Sequence, residues 1–384
     1  MNSRPIYLDY MATTPVDPRV IESMINYLGI EGEFGNPSSI THNYGKMASI
    51  AVAEAREQLA NAIGASVEEI IFTSGGTESN NIALKGILKE GDHFITSSYE
   101  HPSILNVAKK IEEEGIEVSY IKPNKNGVIC LDDIKNKIKN NTKLVSIMFL
   151  NNEIGSINPI KDISMLCKKH KILFHTDAVQ FIGKDNFNFK DYEIDILSIA
   201  AHKFYGPKGI GALIVKKGIS IDAINEGGGQ ENGLRAGTES PTLIAGMTEA
   251  LKIAYKNLDN NINYIKNLDK IFTRELDNTN IDYRINGEPR LHGFANITFN
   301  EFDGQTLLMN LDLNGIAISF GSACSSGTSK ASNALLETGM KEKQAKDTVR
   351  ISFGKFNTEQ DVKYLVHVLQ KVISPKIIKD TIHV

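Results

Sequence analysis

From about residue 50 to about residue 255, short runs rich in Val, Ile and Phe take turns with stretches whose apolar residues recur at helical spacing. A strand buried on both faces reads as an unbroken apolar run, and parallel neighbours need a long crossover, which a helix supplies. The alternation therefore predicts an α/β fold: a mainly parallel central sheet with helices on both faces. The expected strands are Ile70 to Thr73, His93 to Ser97, Leu144 to Leu150, Leu173 to His175, Ile194 to Ile199 and Ala212 to Val215. In open sheets of this kind ligands bind beyond the carboxyl ends of the strands, so motifs just after a strand carry the most weight.

The pattern then changes. An apolar, lysine-studded helix is expected around residues 243–272, with Leu258, Ile262 and Ile265 keeping the spacing through the asparagine-rich stretch Asn257 to Asn267. Strand-like runs follow at Ala295 to Phe299, Ile316 to Ser319 and Val349 to Phe353, and an amphipathic helix at Glu359 to Val372. A chain of 384 residues also exceeds the usual domain size of roughly 100–200 residues. The expected division is a large domain over residues 15–258 and a smaller α+β domain built from residues 1–14 and 259–384.

Composition excludes some functions. There is no apolar run of about 18 residues to span a bilayer, and a net charge of -4 with mixed signs gives no basic stripe for a phosphate backbone. Neither a membrane nor a nucleic acid is an expected partner. The opening MNSRPIYLDYMATT has no apolar core behind a positive segment, so a cytoplasmic location is expected. Three widely spaced cysteines, Cys130, Cys167 and Cys324, argue against a disulfide framework and against a metal site. Cys130 and Cys167 lie among aliphatic residues and read as core, which leaves Cys324 for thiol chemistry.

Several strand ends carry reactive residue types. In Ser198-Ile-Ala-Ala-His202-Lys203-Phe-Tyr-Gly206 a strand runs into a lysine and then a glycine and proline turn; a lysine amine forms an imine with an aldehyde cofactor. In Leu173-Phe-His-Thr-Asp177-Ala-Val-Gln180 a carboxylate follows a strand, where it would keep a pyridinium nitrogen protonated, and Gln180 would reach the ring oxygen. Gly75-Gly76-Thr77 leads from a strand into a helix whose free N–H groups and dipole favour a phosphate. His101 could stack on an aromatic ring and move protons near neutrality, and Asn152 could supply an amide to the ring face. Arg350 has the planar fork that grips a carboxylate at two points, although a structural ion pair is the competing reading. Cys324 sits in a run of small polar residues, Gly321 to Gly327, expected to form an exposed, mobile loop.

Taken together these residues resemble the cysteine desulfurases, pyridoxal 5'-phosphate enzymes with the aspartate aminotransferase type of fold, in the class-V aminotransferase group. The motifs IYLDYMATTP, FGNPSS, FTSGGTES, EHPS, NNEIG, HTDAVQ, AAHKFYGPKGIGA, GGGQENGLRAGT, SFGSACSSG and VRISFG follow one another in family order. The resemblance implies PLP-dependent transferase fold type I and conversion of L-cysteine to L-alanine. It implies Lys203 as the imine lysine, Asp177 as the ring-nitrogen partner, Gln180 as the ring-oxygen partner and His101 as the stacking proton carrier. Gly76, Thr77 and His202 would hold the phosphate, joined by Thr238 from the second subunit of a homodimer; Asn152 and Arg350 would bind the substrate carboxylate. Cys324 would take the sulfur as a persulfide for an acceptor protein serving iron-sulfur cluster assembly or thiolation.

Three departures stand out against the family pattern. Ala200 replaces a phosphate-contacting serine, Gln230 and Asn232 replace a histidine and an arginine, and Ala331 and Asn333 alter the helix start after the cysteine loop. Alternatives on the same scaffold are selenocysteine lysis, another lyase or an amino transfer, and from another class a non-catalytic assembly partner. Cys324 speaks against amino transfer, which needs no thiol.

Overall fold

A computed structural model describes residues 4–300, 302–320 and 331–380. Cys324 lies outside the described residues. In chain order the strands are β1 (Ile6–Tyr7), β2 (Ile70–Thr73), β3 (His93–Ser97), β4 (Glu117–Ile121), β5 (Thr142–Ser146), β6 (Leu173–Asp177), β7 (Ile196–Ala200), β8 (Gly211–Val215), β9 (Tyr283–Asn286), β10 (Phe294–Phe299), β11 (Ile316–Ala317) and β12 (Thr348–Ser352).

Seven of them make one sheet in the order β2-β8-β7-β6-β5-β3-β4. The strands β4, β3, β5, β6 and β7 pair in parallel, and β8 alone runs antiparallel to its neighbours β7 and β2. Because side chains alternate along a strand, consecutive residues feed opposite layers. Ile70, Phe72, Ile95, Val145, Phe174 and Leu197 pack with the helices Asn43–Ile63, Ile160–His170 and Pro241–Lys256. Ile71, Phe94, Leu144, Ile196 and Leu213 pack on the other face with the helices Gly76–Lys85 and Pro102–Glu113. Each such fully buried side chain contributes about 1.5–3 kcal/mol, and the double burial is why the strands read as continuous apolar runs.

A separate core collects Leu8 with side chains of the helix Leu258–Asp277, β10, the helix Gly304–Leu313, β12 and the helix Glu359–Asp380. Its three-stranded antiparallel sheet has the order β12-β10-β9. The start of the chain joins it: β1 pairs in parallel with β11, and Asp9 bridges to Ser352. No helix among the described residues is long and apolar enough to cross a membrane.

The structure corrects several expectations. The strands β4 and β9 went unforeseen because both lie at sheet edges, where Glu117 and Arg284 face solvent and break the apolar run. The sheet pairing of β5 stops at Ser146, although the N–H groups of Ile147 and Phe149 still reach His175 and Asp177 carbonyls at 3.2 and 2.9 Å. The helix expected around residues 243–272 is two, Pro241–Lys256 and Leu258–Asp277, parted at Asn257, whose Nδ2 donates to the Ile253 carbonyl at 2.9 Å. That local side-chain bond competes with helix continuation, which the apolar spacing alone does not register. Cys130 is exposed at the start of the helix Leu131–Lys137 and not part of the core; Cys167 is buried.

Candidate active site

Five strands point their carboxyl ends to one edge of the large sheet. The strand β2 leads into Gly76 and Thr77, β3 is followed by His101, β5 by Asn152, β6 ends on Asp177, and β7 runs into a single 3-10 turn that carries His202 and Lys203. A cavity of about 320 Å³ opens there, and Gly76, Thr77, His101, Asn152, Asp177, Gln180, His202, Lys203 and Arg350 all line it. A larger cavity, about 640 Å³, lies on the far side of Met11 and Lys203. Its wall includes Lys203 but not Asp177, His101 or Arg350, so the reactive groups gather in the smaller one.

Lys203 is buried, and its Nζ donates to the carbonyl oxygens of Met11 at 2.6 Å and Ala12 at 2.8 Å. The chain start thus holds the amine. Gln180 Nε2 donates to the same Met11 carbonyl at 2.9 Å, and Lys184 Nζ donates to Gln180 Oε1 at 3.1 Å. Burial, with the charges of Lys203 and Arg350, holds the Lys184 amine well below the usual lysine range. Asp177 accepts from the Val179 N–H at 3.0 Å and from Asn80 Nδ2 at 2.8 Å.

At the other end of the cavity the helix Gly76–Lys85 begins without a side-chain cap, so its first N–H groups stay available. A Cβ added at Gly76 would stand 2.7 Å from Val179 Cγ2, so only glycine keeps this backbone close to the neighbouring turn. The Ala200 methyl lies beside that spot. The His202 imidazole meets Thr13 Oγ1 at 3.2 Å, and burial, reinforced by Lys203, Lys208 and Lys184, pushes its pKa down to about 3. His202 is therefore neutral and able to donate one N–H.

His101 caps the helix Pro102–Glu113, its Nδ1 accepting from the Ser103 N–H at 3.1 Å. Burial lowers its pKa, with Asp177 opposing and Lys203 reinforcing the shift. Arg350 is buried within β12: one nitrogen donates to the Asn152 carbonyl at 2.7 Å and another pairs with Asp9 at 2.7 Å. It is ion-paired with Asp9 and at the same time part of the cavity wall.

Thr238 stands apart, exposed on the loop before the helix Pro241–Lys256 and outside the cavity. The neighbouring stretch Gln230–Gly233 is anchored by Glu231, which pairs with Arg56 at 2.7 Å and accepts from the Phe72 N–H at 2.9 Å. Sequence reasoning missed Asn80, Ser103, Lys184, Asp9 and Glu100. Asn80 alone had a signal: it lies four residues after Gly76, on the same helix face. Asp9 reaches the site only through a contact 341 residues away along the chain, whereas Lys184 sits four residues after Gln180 and meets Met11 across 173 residues.

The donor set fits a phosphate-bearing aromatic aldehyde: bare amides for the anion, a buried amine for the aldehyde, a carboxylate for a protonated ring nitrogen. Comparison with known proteins agrees. Residues 6–365 match the family model for aminotransferase class-V. The chain is 44% identical over 377 residues to "Cysteine desulfurase IscS" of Buchnera aphidicola subsp. Baizongia pistaciae, covering 96% of this chain and 93% of that protein. It is 43% identical over 382 residues to the protein of that name from Clostridium botulinum (strain Kyoto / Type A2), covering 97% and 96%. Among solved structures, a "NIFS-LIKE PROTEIN" superposes with a TM-score of 0.89 at 35% identity, covering 96% of this chain and 99% of its own. A NifS-like protein from Rickettsia africae ESF-5 gives 0.85 at 33% identity, covering 97% and 100%.

Proposed function

The chain belongs to the class-V aminotransferase family and is a cysteine desulfurase with the type I fold of PLP-dependent transferases, and from that premise we propose how its own residues run the reaction. The cavity beyond the strand ends is the seat of pyridoxal 5'-phosphate and L-cysteine. One observation carries this: Lys203, Asp177, His101, Arg350 and the opening of the helix Gly76–Lys85 border a single space of about 320 Å³. That size falls in the range of small-molecule sites, which start at about 300 Å³.

When bound, pyridoxal phosphate supplies an aldehyde that condenses with amines and a ring that takes up the electron pair left at the substrate's α-carbon. Gly76 and Thr77, with neutral His202, hold the phosphate by N–H and O–H donors. Ala200 gives no hydroxyl there, so the backbone donors bear more of the anion's binding. Asp177, kept in place by two donated hydrogen bonds, would stand beside the ring nitrogen. Gln180 turns its amide N–H toward the ring oxygen because Lys184 occupies its carbonyl side. His101 lies on the ring face and handles protons.

Lys203, as a free amine held by the Met11 and Ala12 carbonyls, would be the group that moves protons at the substrate's α-carbon. Arg350 and Asn152 would bind the substrate carboxylate and so fix the substrate's orientation in the cavity. The Cys324 thiolate then attacks the substrate sulfur: the carbon–sulfur bond breaks, a sulfur–sulfur bond forms, and a proton completes the alanine methyl group. Sulfur leaves as a persulfide for an acceptor protein, and no external oxidant is consumed.

The family is generally dimeric. Ile25, Leu28, Ile30, Phe34 and Ile40 expose a large apolar surface between the first two helices, and this supports a homodimer in which Thr238 completes the partner's phosphate site. Residues 15–258 form the PLP-binding domain, residues 1–14 and 259–384 the smaller domain to which Cys324 belongs, and the enzyme works in the cytoplasm. The test is Cys324→Ser in the purified full-length protein: sulfide release from L-cysteine should vanish while the yellow colour of bound cofactor remains. Persisting sulfide release, or a colourless wild-type protein after incubation with pyridoxal phosphate, overturns the assignment.

A further inference from the structure

The helix that opens on the cavity also reaches it from behind. Asn80, one turn in from Gly76, is fully buried and lines no part of the cavity, yet both amide hydrogens go to groups that matter there. Its Nδ2 donates to Asp177 Oδ2 at 2.8 Å and to Ser103 Oγ at 2.8 Å. Ser103 Oγ in turn lies 2.8 Å from His101 Nδ1. A four-member polar chain, Asp177 to Asn80 to Ser103 to His101, therefore joins three residues of the cavity wall through Asn80, which lies behind it. Asn80 Oδ1 is buried and has no hydrogen-bond partner among the described residues. Leaving an amide oxygen dry is destabilising, and both amide hydrogens are used for the site.

The directions of these bonds are fixed by chemistry. A carboxylate only accepts, so Asn80 must turn its NH2 group to Asp177. Ser103 Oγ accepts the second Asn80 hydrogen, which leaves its own hydroxyl proton for His101. The Ser103 backbone N–H also points at His101 Nδ1, at 3.1 Å. With two donors aimed at Nδ1, the proton of the neutral imidazole resides on Nε2.

We infer that Asn80 and Ser103 are positioning residues of the desulfurase site, which clamp the ring-nitrogen carboxylate and the stacking imidazole into one unit and fix His101 in its Nε2–H form. The inference rests on the cofactor assignment made above. It extends the part played by the helix Gly76–Lys85: the helix opening receives the phosphate, and its second turn sets the two side chains that meet the ring. A substitution at Asn80 is then felt at both the ring edge and the ring face without any change in the cavity lining.

The experiment uses cofactor-loaded full-length protein carrying Asn80→Ala, Ser103→Ala, both together, and Ser103→Thr. Each single alanine variant should lower kcat about tenfold, the worth of one hydrogen bond to a charged group, with KM for L-cysteine within about twofold. The pH midpoint at which the visible cofactor band titrates should move by about half a unit or more, since the charge beside the ring is no longer held. The double variant should be no worse than Asn80→Ala, because the chain is already cut, and Ser103→Thr should retain the wild-type band. If Asn80→Ala does not fold, the contrast between Ser103→Ala and Ser103→Thr makes the same comparison. Multiplying losses in the double variant, or an unmoved band midpoint in well-folded single variants, overturns the clamp. A wild-type protein that shows no cofactor band refutes instead the cofactor assignment beneath it.

Discussion

Replacing Glu100 with glutamine should abolish a pH dependence that the wild-type protein carries. Glu100 is 4% exposed, next to His101 in sequence, and its Oε1 accepts from the Met148 N–H at 2.9 Å and from the Ser97 hydroxyl. Burial outweighs those bonds and, with the Asp177 charge adding, pushes its carboxyl from 4.5 up to about 8. The folded chain thus prefers the protonated form more than the unfolded chain does. Its contribution to stability is whole below 4.5 and drains away as the pH climbs through about 8. At ~1.4 kcal/mol per pH unit the loss approaches roughly 5 kcal/mol. For this length, at ~2.1 cal/mol/K of unfolding entropy per residue, that is on the order of 5 °C in Tm. The assay is thermal unfolding of both proteins from pH 5 to 9 at constant ionic strength. The wild-type Tm should fall more steeply than that of Glu100→Gln, by several degrees between pH 5 and pH 8.5. Parallel curves would show that Glu100 is already charged in the fold and that burial does not govern it.

Two further changes probe the site's supports. Asp9→Asn leaves Arg350 in place and removes the opposite charge at 2.7 Å; breaking a buried pair in this way costs about 3–5 kcal/mol, and KM for L-cysteine should rise about tenfold with kcat little changed, as steady-state kinetics will show. Lys184→Met keeps the apolar stem but drops the donor to Gln180 Oε1; the visible band of the loaded protein should shift and cofactor release should quicken about fivefold, as expected for one neutral hydrogen bond of ~1 kcal/mol, and an unchanged band would refute the orienting role.

Most of the large sheet was legible because a strand covered on both sides writes itself as an unbroken run such as Ile70 to Thr73, and because reactive residues follow such runs at one sheet edge. The edge strands β4 and β9 were not, since each turns a charged residue, Glu117 or Arg284, toward water. The break at Asn257 was hidden for another reason: its apolar neighbours keep helical spacing across a point where a side-chain amide ends the backbone ladder. At the site, residues that touch the cavity announced themselves by chemical type. Asn80 and Lys184, which act through another residue, and Ser103, a wall residue of common type, did not, because they gain meaning only from what the fold lays beside them.

The pairing of the first strand with the last-made core has a consequence for biogenesis. The carbonyls that receive the Lys203 amine belong to Met11 and Ala12, and this segment is tied to Ile316, Arg350 and Ser352. A ribosome delivers those anchors some 300 residues after it has released Met11. Until then the earliest part of the nascent chain has only its contacts to residues such as Gln180, His202 and Lys203, so the amine's cradle is completed only as translation nears its end. Truncated chains that stop before residue 316 can build much of the large sheet, yet they lack the clasp that readies Lys203 for its cofactor.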